Sequence, residues 1–372
     1  MMKKIIVYYP FEKRDLTSGS SVRPVKLLNS FKAFGEEVGF EIIEIFGSSK
    51  SRKERTEYIY SQVDPEQIIY CYMENSTIPI WLSNKNHIPT HPLVDLKFLK
   101  YLKKQKIPLG LFYRDIYWKF DELYKLSSPQ RQIMQTLFKV ELSMYKKYAS
   151  IFYLPSLQMG KYLNLERKNV YSLPPGGEDY LSKVGKTYSS PLKAIYVGGI
   201  HPRYGVYEML EALSIINEPK KKIELTFIIR EAEKEKYKEK LEKYQNQTWL
   251  SIKHASGSEL EPYYLESHFG IVPIKKDYYN DFAIAVKMFE YLSYGLPMIV
   301  SNCEAQSEIV EKANFGIIQT STTEGFLKGF NEILNEEKFN TLQVNAKRSL
   351  LEEHLWKHRV EKIHKTLMEL RN

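Results

Sequence analysis

Only two of the 372 residues are cysteine, Cys71 and Cys303, each inside an apolar segment. One disulfide between such distant positions is conceivable, but buried free thiols in a reducing compartment are the expected state. Cysteine and histidine nowhere recur at metal-ligand spacing, so no metal site is expected. No apolar run approaches the ~20 residues that span a bilayer. The opening MMKKIIVYYP has two lysines but neither a signal-peptide core nor a small-residue cleavage site, and a cytoplasmic location is the expectation. Internal repeats, coiled-coil heptads and low-complexity segments are lacking as well. The first loop, PFEKRDLTSGSS, holds a single glycine and no G-x-G-x-x-G, which argues against a NAD-dependent oxidoreductase.

What is present is regular alternation. Hydrophobic residues make up 43% and charged residues 27%, as in a globular protein, and the length favours about two domains. Short β-branched and aromatic runs at Ile5–Tyr9, Glu41–Phe46, Ile68–Tyr72, Leu109–Tyr113, Ile151–Leu154 and Val170–Leu173 read as strands. Helical periods lie between them at Val22–Val38, Arg52–Gln62, Asp95–Lys106 and Arg131–Tyr148. After the aperiodic stretch from PPGGED to Pro191, strands are expected at Ala194–Val197, Ile223–Ile229, Leu250–Lys253, Phe269–Pro273, Met298–Ser301 and Gly316–Ile318. Helices are expected at Val206–Ile216, Ala232–Tyr244, Val286–Tyr294 and Thr323–Leu334, with a last one over Glu352–Leu370. Such alternation requires crossovers and parallel sheets. The expectation is an α/β protein of two tandem Rossmann-like domains facing across a cleft. Residues 1–178 form the first, 179–192 a linker, 193–351 the second, and 352–372 a helix crossing back to the first domain. Open α/β sheets bind ligands beyond their strands' carboxyl ends, which makes that cleft the expected site.

The net charge of +9 is unevenly spread. Residues 1–96 balance at 12 basic and 12 acidic, whereas Lys97 to Lys168 holds 15 basic and 5 acidic residues. A solvated basic face is one reading; a surface for anionic lipid or another polyanion is the other. The segment VDLKFLKYLKKQKIP at 94–108 favours the second, because on a helix Lys97, Lys100 and Lys104 share one face while Leu99 and Leu102 fall towards the opposite one. No nucleic-acid motif accompanies the charges, so nucleic acid is not an expected partner.

The most informative stretch is KMFEYLSYGLP at 287–297, followed by MIVS. A helix opening at Lys287 turns its amides and positive dipole end towards an anion, and Glu290, one turn on, is placed to accept from a ribose diol. Alternatively the two form an i,i+3 surface pair. Gly295 and Pro297 read as a helix stop.

KMFEYLSYGLPMIVS, with SEIV and FGI after it, resembles the donor-site signature of GT-B glycosyltransferases, the large bacterial group that includes retaining nucleotide-sugar-dependent enzymes. The loop SGSSVRP with Gly19, ASIFYLPSLQMGKYL, VYSLPPGGED, IYVGGIHPRYGVYEMLEAL, SELEPYYLESHFGIVP and LEEHLWKHRVEKI resemble further family segments in the expected order. The resemblance implies a glycosyltransferase, hexosyltransferase-like, that uses a UDP- or GDP-linked sugar and a glycan or lipid-linked acceptor in cell-surface polysaccharide synthesis. It implies that Glu290 binds the ribose and that Gly19 lies near the donor phosphates. Gly198, Gly199 and Arg203 would face the diphosphate, and the amides of Asp281, Phe282, Ala283 and Ile284 the sugar and diphosphate. Arg203 and Lys287 would neutralise charge on the leaving diphosphate, with no metal and no cofactor needed. Phe282 stands where many retaining members carry a glutamate, which leaves the stereochemistry open. Asp115, in YRDIYW after the fourth strand, is the expected acceptor-side base if the enzyme inverts and an acceptor-positioning group if it retains; an Arg114–Asp115 ion pair is the structural alternative. Tyr113, Tyr117 and Trp118 are either sugar-stacking or core residues. His201 and His254, beside the site loops, read first as structural hydrogen-bonders. A sugar-nucleotide epimerase of similar fold is the nearest rival, but no cluster of carboxylates and histidines supports it.

Overall fold

The computed structural model describes residues 2–12, 19–165, 167–185 and 187–371. It divides into two units, Met1–Pro174 with Trp356–Asn372, and Pro175–Leu355.

In the first unit, strands β1 (Lys3–Tyr9), β2 (Phe40–Phe46), β3 (Ile68–Glu74), β4 (Leu109–Phe112), β5 (Ile151–Leu154) and β6 (Val170–Ser172) form a parallel sheet in the order β2-β1-β3-β4-β5-β6. The inner strands read as continuous apolar runs because helices cover both faces; all of β3 and the last five residues of β1 are buried, whereas the edge strand β2 keeps Glu41 and Glu44. The chain runs outwards from β1 to β2 and then re-enters on the other side at β3, so the carboxyl ends of β1 and β3 flank the topological switch point. Helix Trp356–Met368 lays Trp356, Val360, Ile363 and Leu367 into a core with Ile5, Val7, Tyr70, Tyr72 and Tyr153. Arg371 then donates to the carbonyls of Ile68 and Ile69.

The second unit repeats the design with β7 (Leu192–Val197), β8 (Ile223–Ile228), β9 (Leu250–Lys253), β10 (Phe269–Val272), β11 (Met298–Ser301) and β12 (Gly316–Gln319). Their parallel order is β12-β11-β10-β7-β8-β9, which puts the switch between β7 and β10. Gly270 in β10 is required by packing: a Cβ there would lie 2.2 Å from the Tyr291 ring on helix Val286–Ser293. Gly295, at φ +62°, ends that helix, and its amide returns to the Leu292 carbonyl at 2.8 Å.

Several elements depart from the sequence expectation. The run 232–244 is broken into Glu231–Lys236, Lys238–Leu241 and a 3₁₀ turn, since in this mostly charged stretch only Leu241 and Tyr244 are buried and no apolar stripe holds one continuous helix. Helices Glu304–Ala313 and Glu336–Ser349 were not expected; polar residues dilute their periodicity, and packing through positions such as Val310, Phe339, Leu342 and Ala346 organises them. The terminal helix starts at Trp356 rather than 352, after a π turn at Leu350–His354 and an extended Leu355. Residues 175–178 and 352–355 belong to the second unit, not the first.

Candidate functional site

The second unit gathers the residues expected on the donor side at its switch point. Two loops leave the carboxyl ends of the adjacent strands β7 and β10 and pair with each other: Lys275 N donates to Arg203 O at 3.0 Å, and Gly205 N to Pro273 O at 2.5 Å. Arg203 makes a two-pronged ion pair with Asp277, Nε to Oδ2 at 2.8 Å and Nη2 to Oδ1, with the Tyr279 ring 5.2 Å away. Asp277 in turn accepts from the amides of Tyr279 (2.9 Å) and Asn280 (2.8 Å), so one carboxylate both closes the turn and fixes the guanidinium. Nothing in the local sequence announced Asp277, because its partner lies 74 residues away. The pairing also neutralises part of the charge expected of Arg203.

Lys287 and Glu290 stand on helix Val286–Ser293, which follows β10. Lys287 Nζ donates to Glu290 Oε2 at 2.8 Å, and Tyr264 OH donates to the same oxygen at 2.6 Å. Both bonds thus fall on Oε2 rather than Oε1, and the pair is only partly covered, at 31% and 25% exposed. Burial raises the Tyr264 phenol well above its ordinary pKa and the Glu290 charge adds to this, so the hydroxyl remains a donor that orients the carboxylate. The sequence reading did not name Tyr264 as a partner of Glu290. The helix is preceded by Ala285, which has no capping oxygen, so its first amides and positive end carry no side-chain cap.

Gly198 and Gly199 begin the β7 loop. A Cβ at Gly198 would meet Tyr196 OH at 2.7 Å and its Cζ at 2.9 Å, so that ring would have to shift, whereas one at Gly199 would meet only the mobile end of Glu233, at 2.6 Å. The loop 281–284 departs from the expected arrangement. The amides of Asp281, Phe282 and Ala283 donate within the turn, to Asp277 O, Tyr279 O and Tyr279 O. The Asp281 side chain accepts from Glu304 N at 3.1 Å at the start of helix Glu304–Ala313, and Phe282 is buried edge-on against Tyr279. Ile284 sits half-buried against the core of the unit. His201 accepts from Arg203 N through Nδ1, and His254 Nδ1 contacts Ile229 O, both local structural bonds.

In the first unit, Asp115 follows β4 and accepts from the amides of Ile116 (2.6 Å) and Tyr117 (3.0 Å), an Asx turn. The Arg114 guanidinium faces Glu74 instead, Nη1 to Oε2 at 3.8 Å. Tyr113 and Trp118 are core residues, Trp118 stacked on Phe138, while Tyr117 is half-buried. Gly19 opens helix Gly19–Val38, so the part of SGSSVRP from Gly19 onwards is helical rather than loop. Residues 13–18 of the preceding segment lie outside the described residues. Cys71 and Cys303 are free and buried, and burial pushes both thiols up, Cys303 to about 12. Helix Val94–Lys104 packs Val94, Phe98, Leu99 and Leu102 inwards, which leaves Lys97, Lys100 and Lys104 with Tyr60 and Tyr101 around a shallow cavity of about 260 Å³.

Two six-stranded parallel α/β units in tandem are the architecture of the GT-B class of fold. Comparison with known proteins agrees. Residues 179–349 match the family model of glycosyl transferases group 1. Solved structures that resemble the whole chain include sucrose-phosphate synthase from Thermosynechococcus elongatus (TM-score 0.66, 13% identity, 100% of this chain and 99% of that one). A glycosyltransferase from Rickettsia africae (TM-score 0.64, 13%, 100% and 99%) and HepE of Anabaena in complex with UDP (TM-score 0.65, 12%, 99% and 100%) are similar in the same way. At such identities these structures show the fold alone. No curated protein sequence matches the chain. Residues 179–349 thus resemble glycosyl transferases group 1, and the fold of the whole chain is that of the GT-B class. The epimerase alternative finds no support among these similarities.

Proposed function

We propose that the chain transfers a sugar from a UDP-linked donor, or a GDP-linked one, to a glycan or lipid-linked acceptor in cell-surface polysaccharide synthesis. The observation that carries this reading is the cluster at the β7/β10 switch: a lysine-bearing, uncapped helix N-terminus with Glu290 oriented by Tyr264. Glu290 binds the ribose hydroxyls. Lys287 and the helix amides bind the diphosphate and stabilise it as it leaves, with Arg203 a weaker contributor because Asp277 already holds it. HepE in complex with UDP and with UDP-glucose supports uracil as the base. Asp115 acts on the acceptor, as base in an inverting reaction or as a positioning group in a retaining one. The diphosphate is held by these cations and amides without a metal and without a further cofactor. The protein works at the cytoplasmic face of the plasma membrane, held to anionic lipid through its basic helix.

The test is a thermal-shift screen against UDP-, GDP-, ADP- and CMP-sugars with EDTA present. Donor at 100 times its dissociation constant stabilises by about 2.7 kcal/mol. A clear rise with a UDP-sugar or GDP-sugar is expected; no rise with any of the four overturns the reading.

A further inference from the structure

Helix Ser128–Tyr148 of the first unit carries two apolar lines, and the core uses only one of them. Its inward side buries Phe138, Leu142 and Tyr145. Ile133, Leu137, Val140, Met144 and Tyr148 recur at helical spacing along a different flank of the same helix. Ile133 is 62% and Val140 52% exposed, and Leu137, Met144 and Tyr148 are half-buried. Single aliphatic residues in water are ordinary on a protein surface, whereas a contiguous line of them marks a contact.

The charges around this line have one sign. Helix Val94–Lys104 packs beside it: Lys103 Nζ donates to Lys147 O at 3.3 Å, and the Tyr148 ring lies 5.7 Å from the ammoniums of both Lys103 and Lys147. Each of the two helices carries a single carboxylate, and each turns it inwards. Asp95 is held by Arg52, and Glu141 by Ile80 N and Tyr145 OH. Every exposed charge on the pair is therefore a lysine: Lys139, Lys146 and Lys147 on one helix, with Lys103 joining Lys97, Lys100 and Lys104 on the other. An apolar line bordered by lysines and ended by an aromatic ring is the composition of a helix lying in a membrane interface. A second copy of this chain does not suit the same face, because two such surfaces repel each other.

We infer that the line from Ile133 to Tyr148 enters the headgroup boundary of an anionic phospholipid bilayer, while the lysines of both helices hold the surrounding headgroups. The inference rests on the reading of this basic face as a lipid surface and adds to it a shallow insertion by the second helix. The two contributions have different physics. Attraction between lysines and lipid charge acts over about a Debye length and brings the face to the bilayer. Removal of the aliphatic side chains from water then acts only on contact and is independent of lipid charge. The line is short and partly buried already, so it does not hold the chain on neutral lipid by itself.

Cys71 and Cys303 are fully buried, so a thiol introduced on the surface is the one that an environment-sensitive maleimide dye reaches. Val140→Cys, on the line, and Gln132→Cys, on the exposed polar side, are each labelled in the full chain. Both are titrated at low salt with phosphatidylglycerol-containing vesicles and with pure phosphatidylcholine vesicles. A blue shift of the dye at position 140 with anionic vesicles is expected, with little or none at position 132, and neutral vesicles should shift neither. The double variant Ile133→Gln, Val140→Gln should bind anionic vesicles about tenfold more weakly or worse at an unchanged melting temperature. No shift at position 140, or unaltered affinity of the double variant, in protein that still pellets with anionic vesicles overturns the insertion and leaves electrostatic docking standing. Failure of the wild type to pellet overturns both. A shift that grows with protein concentration and needs no lipid makes the line a protein contact and overturns the membrane assignment.

Discussion

Lys287 and Glu290 are three residues apart on the half-exposed side of a helix turn, a pairing that contributes only about 0.2–0.5 kcal/mol to a helix. Their replacement therefore separates function from fold. Glu290→Ala and Lys287→Ala are each expected to weaken UDP binding or turnover while the melting temperature stays close to wild type; a lowered melting point with intact kinetics would make them structural. Asp115→Asn keeps an oxygen for the Ile116 and Tyr117 amides, so the turn should persist. Turnover is expected to fall steeply with UDP affinity unchanged, and normal turnover removes Asp115 from the chemistry. Glu141 offers a different measurement. It is fully buried, accepts from Ile80 N at 2.9 Å and Tyr145 OH at 3.0 Å, and burial pushes its carboxyl from 4.5 up to about 8. The folded state thus holds this proton more tightly than the unfolded chain. The stability it contributes is complete below the unfolded value near 4.5 and is lost as pH rises through about 8. Urea unfolding at pH 5 and pH 9 should show wild type losing more stability than Glu141→Gln over that interval. Equal losses would mean that Glu141 is already ionised in the fold.

Among the elements, helix Val94–Lys104 is where sequence and structure each supplied half of the account. Its lysine spacing was legible, but whether its apolar side faced lipid or protein was not. The structure buries that side, together with Asp95, which pairs with Arg52 at 2.8 and 2.9 Å. What remains outside is charge, so membrane attachment through this helix would be electrostatic and salt-sensitive, without insertion. Replacing Lys97, Lys100 and Lys104 by glutamine should abolish sedimentation with anionic liposomes at low salt, and neutral liposomes should pellet neither protein. Equal pelleting of wild type and triple variant would show that this helix is not the docking element. No helix among the described residues is long and apolar enough to cross a membrane.

At the scale of the molecule, the chain returns after residue 355 to complete its first unit. Trp356, Val360, Ile363 and Leu367 are each less than 5% exposed in a core built on β1, β3 and β4. Fully burying one such side chain is worth roughly 1.5–3 kcal/mol. Truncation after Leu355 should therefore unfold or loosen the first unit while leaving the second, which ends there, intact. Limited proteolysis would read this as selective cleavage within 2–174. Survival of that region as a resistant fragment would show the helix to be an accessory.

Local chemistry determined much of this protein in advance. Continuous apolar runs such as β3 and the stop at Gly295 and Pro297 follow from burial on two faces and from backbone sterics, which act within a few residues. The twelve strands and the Lys287–Glu290 pair were legible for that reason. Long-range pairing was not. Asp277 on Arg203, Tyr264 on Glu290 and Glu74 on Arg23 join residues 26 to 74 positions apart, and only the sheet order brings them together. The same holds for the amides of 281–283, which the resemblance assigned to the donor and which bond instead within the turn around Asp277. Hydrogen-bond partners are chosen by proximity in space, and proximity between distant residues exists only once the strands have found their neighbours.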